Sequence, residues 1–349
     1  MPWDSWTRQF WAWPLASLDM WRLALAPDLG APPQWTTPAR LALELAALRL
    51  WDFSPGDDAG AAVLVVSPFA LHDARIADLA PGHSLMAALR DNGCRRLHLI
   101  EWKSATPATE RHGVDDLLAA LNVVVDDLGA PVDLVGLCQG GWLSLVYAAR
   151  FPAKTRRLVA VGTPVDVEAA PSALSAPVAQ TSEATLRHLI AAGGGCMRGA
   201  HMAHVWPREA DEEARLADSL ELAPPFDDPL TAPIAAAFQA WDRRTVDLPG
   251  PYFCEVVRHL YRENALARGA FPALGRMVDL RGLDKPLFLL VGETDAIAPP
   301  AQALAAGRLI GADIETARAP CGHLALFMGR RTLARQWPRV AAWLREEGS

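Results

Sequence analysis

The stretch VDLVGLCQGGWLSLVYAARFP, residues 132–152, determines the fold that this sequence predicts. It begins as a continuous apolar run of strand length, passes through a turn flanked by glycines, and continues as an apolar segment of helical length. Cys138 lies at the apex of the turn. A G-x-S-x-G sequence between a strand and a helix is the nucleophile elbow of acyl-transfer enzymes, and here a thiol replaces the usual hydroxyl.

Alternating strand-like and helix-like segments surround this stretch. Apolar runs at 61–68, 96–102, 132–137, 157–164 and 286–293 predict strands, and helical patterns follow them at 84–93, 113–129 and 142–152. Continuous apolar strands joined by helices are typical of a parallel sheet covered on both faces. The sequence therefore predicts an α/β-hydrolase fold, with a mostly parallel central sheet and helices on both faces.

The chain is predicted to have three parts. Residues 1–55 carry two helical patterns, at 3–25 and 38–51, with many tryptophans, and form an N-terminal helical extension. The core comprises 56–168 and 280–349. About 110 residues between them, 169–279, are too many for one connection and predict an inserted, mainly helical cap. Within the cap, the aromatics of 247–264 either line an acyl channel or pack in the core, and packing is favoured for each of them.

Composition excludes several classes of function. With 349 residues, 51% of them hydrophobic, and a net charge of -7, the chain is a globular protein without the basic surface that nucleic acid requires. We expect no membrane span and no signal peptide, and hence a cytoplasmic protein. The five cysteines and nine histidines form no zinc or nucleotide-binding pattern, so we expect no metal and no cofactor.

The partners of Cys138 follow in the chain order that this fold uses. Asp295 comes at the end of the predicted strand 286–293, and His323 lies 28 residues later in a predicted loop. His323 would take the thiol proton to form the thiolate, and Asp295 would orient the imidazole. The backbone N–H groups of Gln139 and Phe69 are the predicted donors to the oxyanion.

The motifs resemble those of the polyhydroxyalkanoate (PHA) synthases and PHA depolymerases, which are α/β-hydrolase-fold enzymes. GLCQGG is similar to the G-x-C-x-G-G box of the synthases, which carries their nucleophile. IADLAPGHSL (76–85), TPVD (163–166), GETDAIAPP (292–300) and GHLALF (322–327) are similar to further segments of that family. The resemblance assigns the nucleophile to Cys138, the acid to Asp295 and the base to His323.

The resemblance implies an acyltransferase that forms a 3-hydroxyacyl thioester on Cys138 from a coenzyme A (CoA) thioester. It also implies association with a polyester granule and with a partner subunit or a second copy of the chain. Two alternatives remain open at this point. One is a PHA depolymerase or another thiol esterase of the same fold, and the other is a non-catalytic protein that binds a polymer granule through its Trp-rich N-terminal segment.

Overall fold

The computed structural model describes residues 34–56, 60–205 and 211–346. These residues form a central sheet of eight strands in the order β1-β2-β6-β3-β7-β8-β13-β14. The bounds of its strands are β1 Arg40–Glu44, β2 Leu48–Asp52, β3 Val63–Val66, β6 Leu97–Trp102, β7 Val132–Leu137, β8 Thr155–Val161, β13 Leu287–Gly292 and β14 Ile314–Ala319.

The sheet is mostly parallel, as the sequence predicts. Strands β6, β3, β7, β8, β13 and β14 pair in parallel, and only β1 and β2 at one edge run antiparallel to their neighbours. Every residue of β3, β6, β7 and β13 is buried, which explains why these strands read as continuous apolar runs. All five predicted strands and the three predicted helices of the core are confirmed, and with them the fold class.

Helices cover both faces of this sheet. Those of the core are α1 Leu85–Asp91, α2 Val114–Asp127, α3 Gln139–Arg150, α10 Pro300–Leu304, α11 Ala306–Leu309, α12 Ala325–Met328, α13 Arg330–Arg335 and α14 Trp337–Arg345, with 3₁₀ turns at Ala74–Ala77, Pro152–Lys154 and Leu280–Gly282. Helix α3 runs beneath β7 and β8, and ten of its twelve residues are buried. The helix that follows Cys138 is therefore held firmly in the core.

The helix predicted over 38–51 is wrong. These residues form β1 and β2, an antiparallel pair whose inner strand β2 also pairs with β6 over five residues. Leucine and alanine favour helices locally, but the apolar residues also alternate with a period of two, and pairing with the sheet overrides the local preference. Two tryptophans of this region, Trp35 and Trp51, pack edge to face at 5.5 Å. The helical pattern at 3–25 lies outside the described residues, and the three-part division of the chain stays a prediction.

The segment between β8 and β13 is mainly helical. Its helices are α4 Ser175–Gln180, α5 Glu183–Ala192, α6 Gly199–Val205, α7 Glu212–Leu220, α8 Ala232–Arg243 and α9 Gly250–Glu255, followed by a π-helix at Val256–Arg262. Short strand pairs β9 Cys196–Met197 with β10 Leu248–Pro249, and β11 Phe271–Ala273 with β12 Arg276–Val278, complete it. A further pair, β4 Asp78–Ala80 with β5 His83–Ser84, follows β3 in the core. Among the described residues, no helix is both long and apolar enough to cross a membrane.

Candidate active site

Cys138 lies at the turn between β7 and α3, with φ 50° and ψ −110°. A side chain other than glycine rarely takes a positive φ, and such strain concentrates at functional sites. Cys138 is also the N-cap of a twelve-residue helix, so its thiol lies at the helix terminus that carries a partial positive charge. The predicted elbow is present, with the thiol held at its apex and 7% exposed.

Two glycines of the GLCQGG motif are required by close backbone contacts. A Cβ added to Gly140 would lie 2.1 Å from the carbonyl oxygen of Val66, which belongs to β3. A Cβ added to Gly136 would lie 2.4 Å from the Cα of Gly141, on the first turn of α3. Neither neighbour is a side chain that could move aside. Glycine at these two positions therefore lets β3, β7 and α3 approach closely enough to form the elbow.

The predicted acid and base meet beside the elbow. Nδ1 of His323 lies 2.6 Å from Oδ2 of Asp295, and the Asp295 side chain is buried. The other carboxylate oxygen, Oδ1, accepts backbone N–H bonds from Ile297 and Ala298, both at 2.8 Å. Asp295 is thus fixed from two sides. Because Nδ1 is engaged by the carboxylate, Nε2 of His323 is the nitrogen left for the hydrogen bond with Cys138.

The charge balance at His323 favours its protonated form. Burial lowers the pKa of the imidazole, but the charge of Asp295, the charge of the Cys138 thiolate and a hydrogen bond to each outweigh burial and raise the pKa well above its ordinary value. The ring also lies edge-on against Phe327, with 5.2 Å between ring centroids. The arrangement holds a protonated imidazole in hydrogen-bond contact with the sulfur of Cys138, as thiol-based acyl transfer requires.

The two predicted oxyanion donors belong to the start of α3 and to the loop after β3. Gln139 is the first residue of α3, and the first N–H groups of a helix have no partner within the helix. Phe69 follows β3 and is buried, with its ring stacked between Trp102 and Tyr252 at centroid distances of 5.7 and 5.2 Å. Both residues line the same cavity, but their roles as oxyanion donors stay a prediction.

That cavity lies between the elbow and the segment 174–261, and has a volume of about 170 Å³. Its wall is mostly apolar. The side chains that line it include Leu71, Leu174, Val178, Leu186, Leu189, Met197, Met202, Leu248, Val256 and Val257. A pocket of this kind binds an apolar chain and orients it through a few polar groups.

Two tyrosines were not predicted as site residues. Tyr252 and Tyr261 both line the cavity, and the negative charge of Cys138 is among the causes that raise the pKa of each phenol, after burial. The sequence favours core packing for the aromatics of 247–264. A regular helical pattern does not place Tyr252 and Tyr261 on the same face of a helix. Tyr252 both lines the cavity and packs in the core. Its side chain is only 2% exposed and stacks on the ring of Phe69.

The four other cysteines are unsuited to nucleophilic chemistry at neutral pH. Burial raises the pKa of Cys94 to about 12 and that of Cys321 to about 11. Burial also raises the pKa of Cys196 and of Cys254. No group of three or more His, Cys, Asp or Glu side chains that could hold a metal ion occurs within the described ranges.

Comparison with known proteins agrees with the fold. The family model described as "alpha/beta hydrolase fold" matches residues 102–329. The chain is 27% identical over 279 residues to the poly(3-hydroxyalkanoate) polymerase subunit PhaC of Synechocystis sp., covering 77% of this chain and 74% of that protein. It is 25% identical to the proteins of the same name from Haloferax mediterranei and Allochromatium vinosum, covering 78% and 77% of this chain and 56% and 76% of theirs.

Solved structures with a similar fold include esterases and lipases. A structure described as a putative lipase from Acinetobacter baumannii superposes with a TM-score of 0.53 at 15% identity, covering 88% of this chain and 92% of that one. A thermophilic esterase from Thermogutta terrifontis superposes with a TM-score of 0.52 at 17% identity, covering 85% of this chain and 93% of that one. At these identities the likeness concerns the fold alone.

Proposed function

Because the chain belongs to the alpha/beta-hydrolase fold family, we propose that it is a cysteine-dependent acyltransferase that takes 3-hydroxyacyl groups from a CoA-type thioester. The observation that carries the proposal is the meeting of Cys138, His323 and Asp295 at a strained strand-to-helix turn. The similarity to poly(3-hydroxyalkanoate) polymerase subunits supports the substrate class.

The first step would place the acyl group on Cys138. The thiolate attacks the thioester carbonyl, and the backbone N–H groups of Gln139 and Phe69 stabilise the oxyanion. The bond between the carbonyl carbon and the CoA sulfur then breaks, and the imidazolium of His323 gives its Nε2 proton to the leaving thiolate. Because one thioester replaces another of similar chemistry, this exchange is nearly balanced in free energy.

The second step would transfer the acyl group to an alcohol. The hydroxyl of another 3-hydroxyacyl unit attacks the Cys138 thioester while His323 accepts its proton at Nε2, and Asp295 stabilises the imidazolium that forms. An ester bond forms and the Cys138 thiolate is released. Only side chains of this protein and the thioester substrate take part, so the proposal calls for no cofactor.

The proposal includes a location and partners. We place the reaction in the cytoplasm, at the surface of the growing polyester, and in an assembly with a partner subunit or a second copy of the chain. The support is the similarity to three relatives that are each named as a polymerase subunit. Measuring the mass of the purified protein by sedimentation, before and after addition of the CoA thioester, tests for self-assembly.

Acylation by 3-hydroxybutyryl-CoA tests the central claim. Wild-type protein and Cys138→Ala are incubated with the thioester, and CoA release, intact protein mass and products are followed. We expect a mass increase of one or more hydroxybutyryl units on the wild type only, together with polymer. A Cys138→Ala protein that releases CoA at the wild-type rate would overturn the assignment of the nucleophile.

The products distinguish the alternatives. A Cys138-dependent adduct that yields only free 3-hydroxybutyrate would identify a thioesterase or depolymerase, in which water replaces the attacking hydroxyl. The granule-binding alternative is tested by deletion of residues 1–25, which lie outside the described part of the chain. Loss of granule association, together with a wild type that neither releases CoA nor cleaves polyester, would support that alternative instead.

A further inference from the structure

A chain of hydrogen bonds with a defined direction links the elbow to the cap. Nε1 of Trp142 lies 2.5 Å from Oε1 of Gln139, and Nε2 of Gln139 lies 2.8 Å from the hydroxyl oxygen of Tyr261. An indole N–H can only donate, so it requires the amide oxygen of Gln139 as its acceptor. The amide nitrogen must then point to Tyr261. The Tyr261 oxygen is therefore an acceptor in this chain, and its own proton is directed elsewhere.

Tyr252 and Tyr261, the two tyrosines of the cavity, differ in whether the hydroxyl proton has an acceptor. The hydroxyl of Tyr252 donates to the backbone carbonyl of Phe69 at 3.0 Å. For the Tyr261 hydroxyl proton, no acceptor is found among the residues that the structure describes. Tyr261 is only partly buried, and the surface that it leaves uncovered contributes to the cavity wall. It thus carries an unused hydrogen-bond donor at the wall of a space enclosed mainly by apolar side chains.

A π-helix brings this donor to the cavity. Tyr252 and Tyr261 are nine residues apart, which is 2.5 turns of an α-helix and would place them on opposite faces. From Val256 to Arg262, however, the chain forms a π-helix, which has more residues in each turn and reduces that rotation. Both side chains line one cavity as a result. π-Helical turns are rare and occur frequently at functional sites, which fits a segment wound in this way to direct Tyr261.

We propose that Tyr261 determines specificity for acyl groups that carry an oxygen at C3, by donating its hydroxyl proton to that oxygen when the acyl group occupies Cys138. This inference rests on the proposed function and extends it to the recognition of the substrate. An acyl chain without the oxygen would fill the cavity, shield this hydroxyl from water and leave it without an acceptor. A site built around such a donor discriminates against analogues that lack the acceptor.

Activated esters provide the test, because they require only a nucleophilic Cys138 and not a CoA site. The values of kcat/KM are compared for p-nitrophenyl 3-hydroxybutyrate and p-nitrophenyl butyrate, with wild type and with Tyr261→Phe. We expect the wild type to prefer the hydroxylated ester and Tyr261→Phe to lose about tenfold of that preference, the effect of one hydrogen bond. The ratio of the two esters is the readout, because the lost partner of Gln139 affects both esters alike.

The chain has three tyrosines, and the other two provide matched controls. Tyr147 donates to Asn122 at 3.1 Å on the far part of α3, so Tyr147→Phe should leave both esters unchanged. Tyr252→Phe removes the contact with the Phe69 carbonyl and should slow both esters by the same factor. An equal loss on both esters in Tyr261→Phe, or no loss on either, would overturn the proposal for Tyr261.

The same measurements separate this proposal from the proposed function. A wild type that cleaves the esters and yet releases no CoA from 3-hydroxybutyryl-CoA would contradict the acyltransferase, while the ester ratio would still decide the role of Tyr261. A wild type that releases CoA from 3-hydroxybutyryl-CoA but shows no preference between the two esters would keep the acyltransferase and overturn the proposal for Tyr261.

Discussion

The elbow around Cys138 meets the cap wall at one cavity, but the two are built in different ways. The cap wall is the part of the cavity lining that the segment 174–261 provides, including Tyr261. At the elbow, glycines, a strained backbone and a buried carboxylate fix the position of each reacting group. The cap wall is made mostly of apolar side chains that could be exchanged for others of similar size. The comparison indicates that the elbow determines whether the reaction occurs, and that the wall determines which acyl group reacts.

The largest effect is expected from Asp295→Asn. The amide cannot hold His323 in its tautomer or balance its charge, so the rate of Cys138 acylation should fall by about 10³–10⁴-fold on every substrate. The charge of Asp295 raises the pKa of His323, so its removal lets the imidazolium lose its proton at lower pH. The alkaline limb of the pH–rate profile should therefore move to lower pH.

Asp218→Asn is a suitable control for that variant, because Asp218 of α7 lies beside Gly322, while the hydrogen bonds of the His323 side chain go to Asp295 and Cys138. It should leave the alkaline limb in place. An Asp295→Asn protein that retained the wild-type profile would show that the elbow works without its carboxylate, and the division between the two regions would fail.

Much of the elbow could be predicted from the sequence, because its determinants are local. The continuous apolar strands, the glycines around Cys138 and the order of Asp295 and His323 are all visible in short stretches. Strand β14 was missed since it lies at the sheet edge and is half exposed, so its residues IETARA show no apolar run. β1 and β2 were missed because pairing with β6, a distant segment, overrides a helical composition.

The residues of the cap wall could not be predicted from the sequence, for a different reason. These residues line the cavity because several helices, distant in sequence, pack around one space. The π-helix at Val256–Arg262 also breaks the 3.6-residue period on which helical patterns depend. Tyr261 therefore looks like an ordinary aromatic residue of a cap helix until its hydrogen bond with Gln139 is seen.

Alkylation tests whether nucleophilic character is confined to the elbow. With iodoacetamide at pH 8, Cys138 should react first, because it is hydrogen-bonded to His323 while burial raises the pKa of each of the four other cysteines. Cys94, whose pKa burial raises to about 12, should react about 10³-fold more slowly than an ordinary cysteine, since only the thiolate attacks. Peptide mapping by mass spectrometry over time gives the individual rates.

The alkylation rates of the buried cysteines should increase with pH. As the pH rises toward 11 and 12, thiolate forms at Cys321 and then at Cys94, so the alkylation rates of these two cysteines should climb. Cys138→Ala protein should show no early modification. Modification of Cys321 as early as that of Cys138 would contradict the assignment of a single nucleophile.

A smaller effect is expected from the close packing under the elbow. Gly140→Ala forces a methyl group against the carbonyl of Val66, and such overpacking typically lowers the free energy of unfolding by about 1–3 kcal/mol. Gly307→Ala in α11 is the matched control, because no atom lies within 4 Å of its added Cβ. That change should raise the free energy of unfolding by about 0.5–1 kcal/mol. Urea unfolding of both variants measures the difference, and equal values would contradict the packing argument.

The smallest effect is expected at the cap wall, where a substitution should change substrate preference without changing the chemistry. Leu189→Ala removes three carbons from the cavity lining, and one added methylene of substrate in an apolar pocket is worth about tenfold or somewhat more in kcat/KM. We therefore expect the ratio of hexanoate to butyrate p-nitrophenyl ester cleavage to rise by up to about tenfold, with the pH profile unchanged. Leu230→Ala provides the control, since Leu230 also belongs to the cap but is 82% exposed. A shift in the pH profile of Leu189→Ala would mean that the wall also sets the charge state of the elbow, and the two regions could no longer be treated as separate.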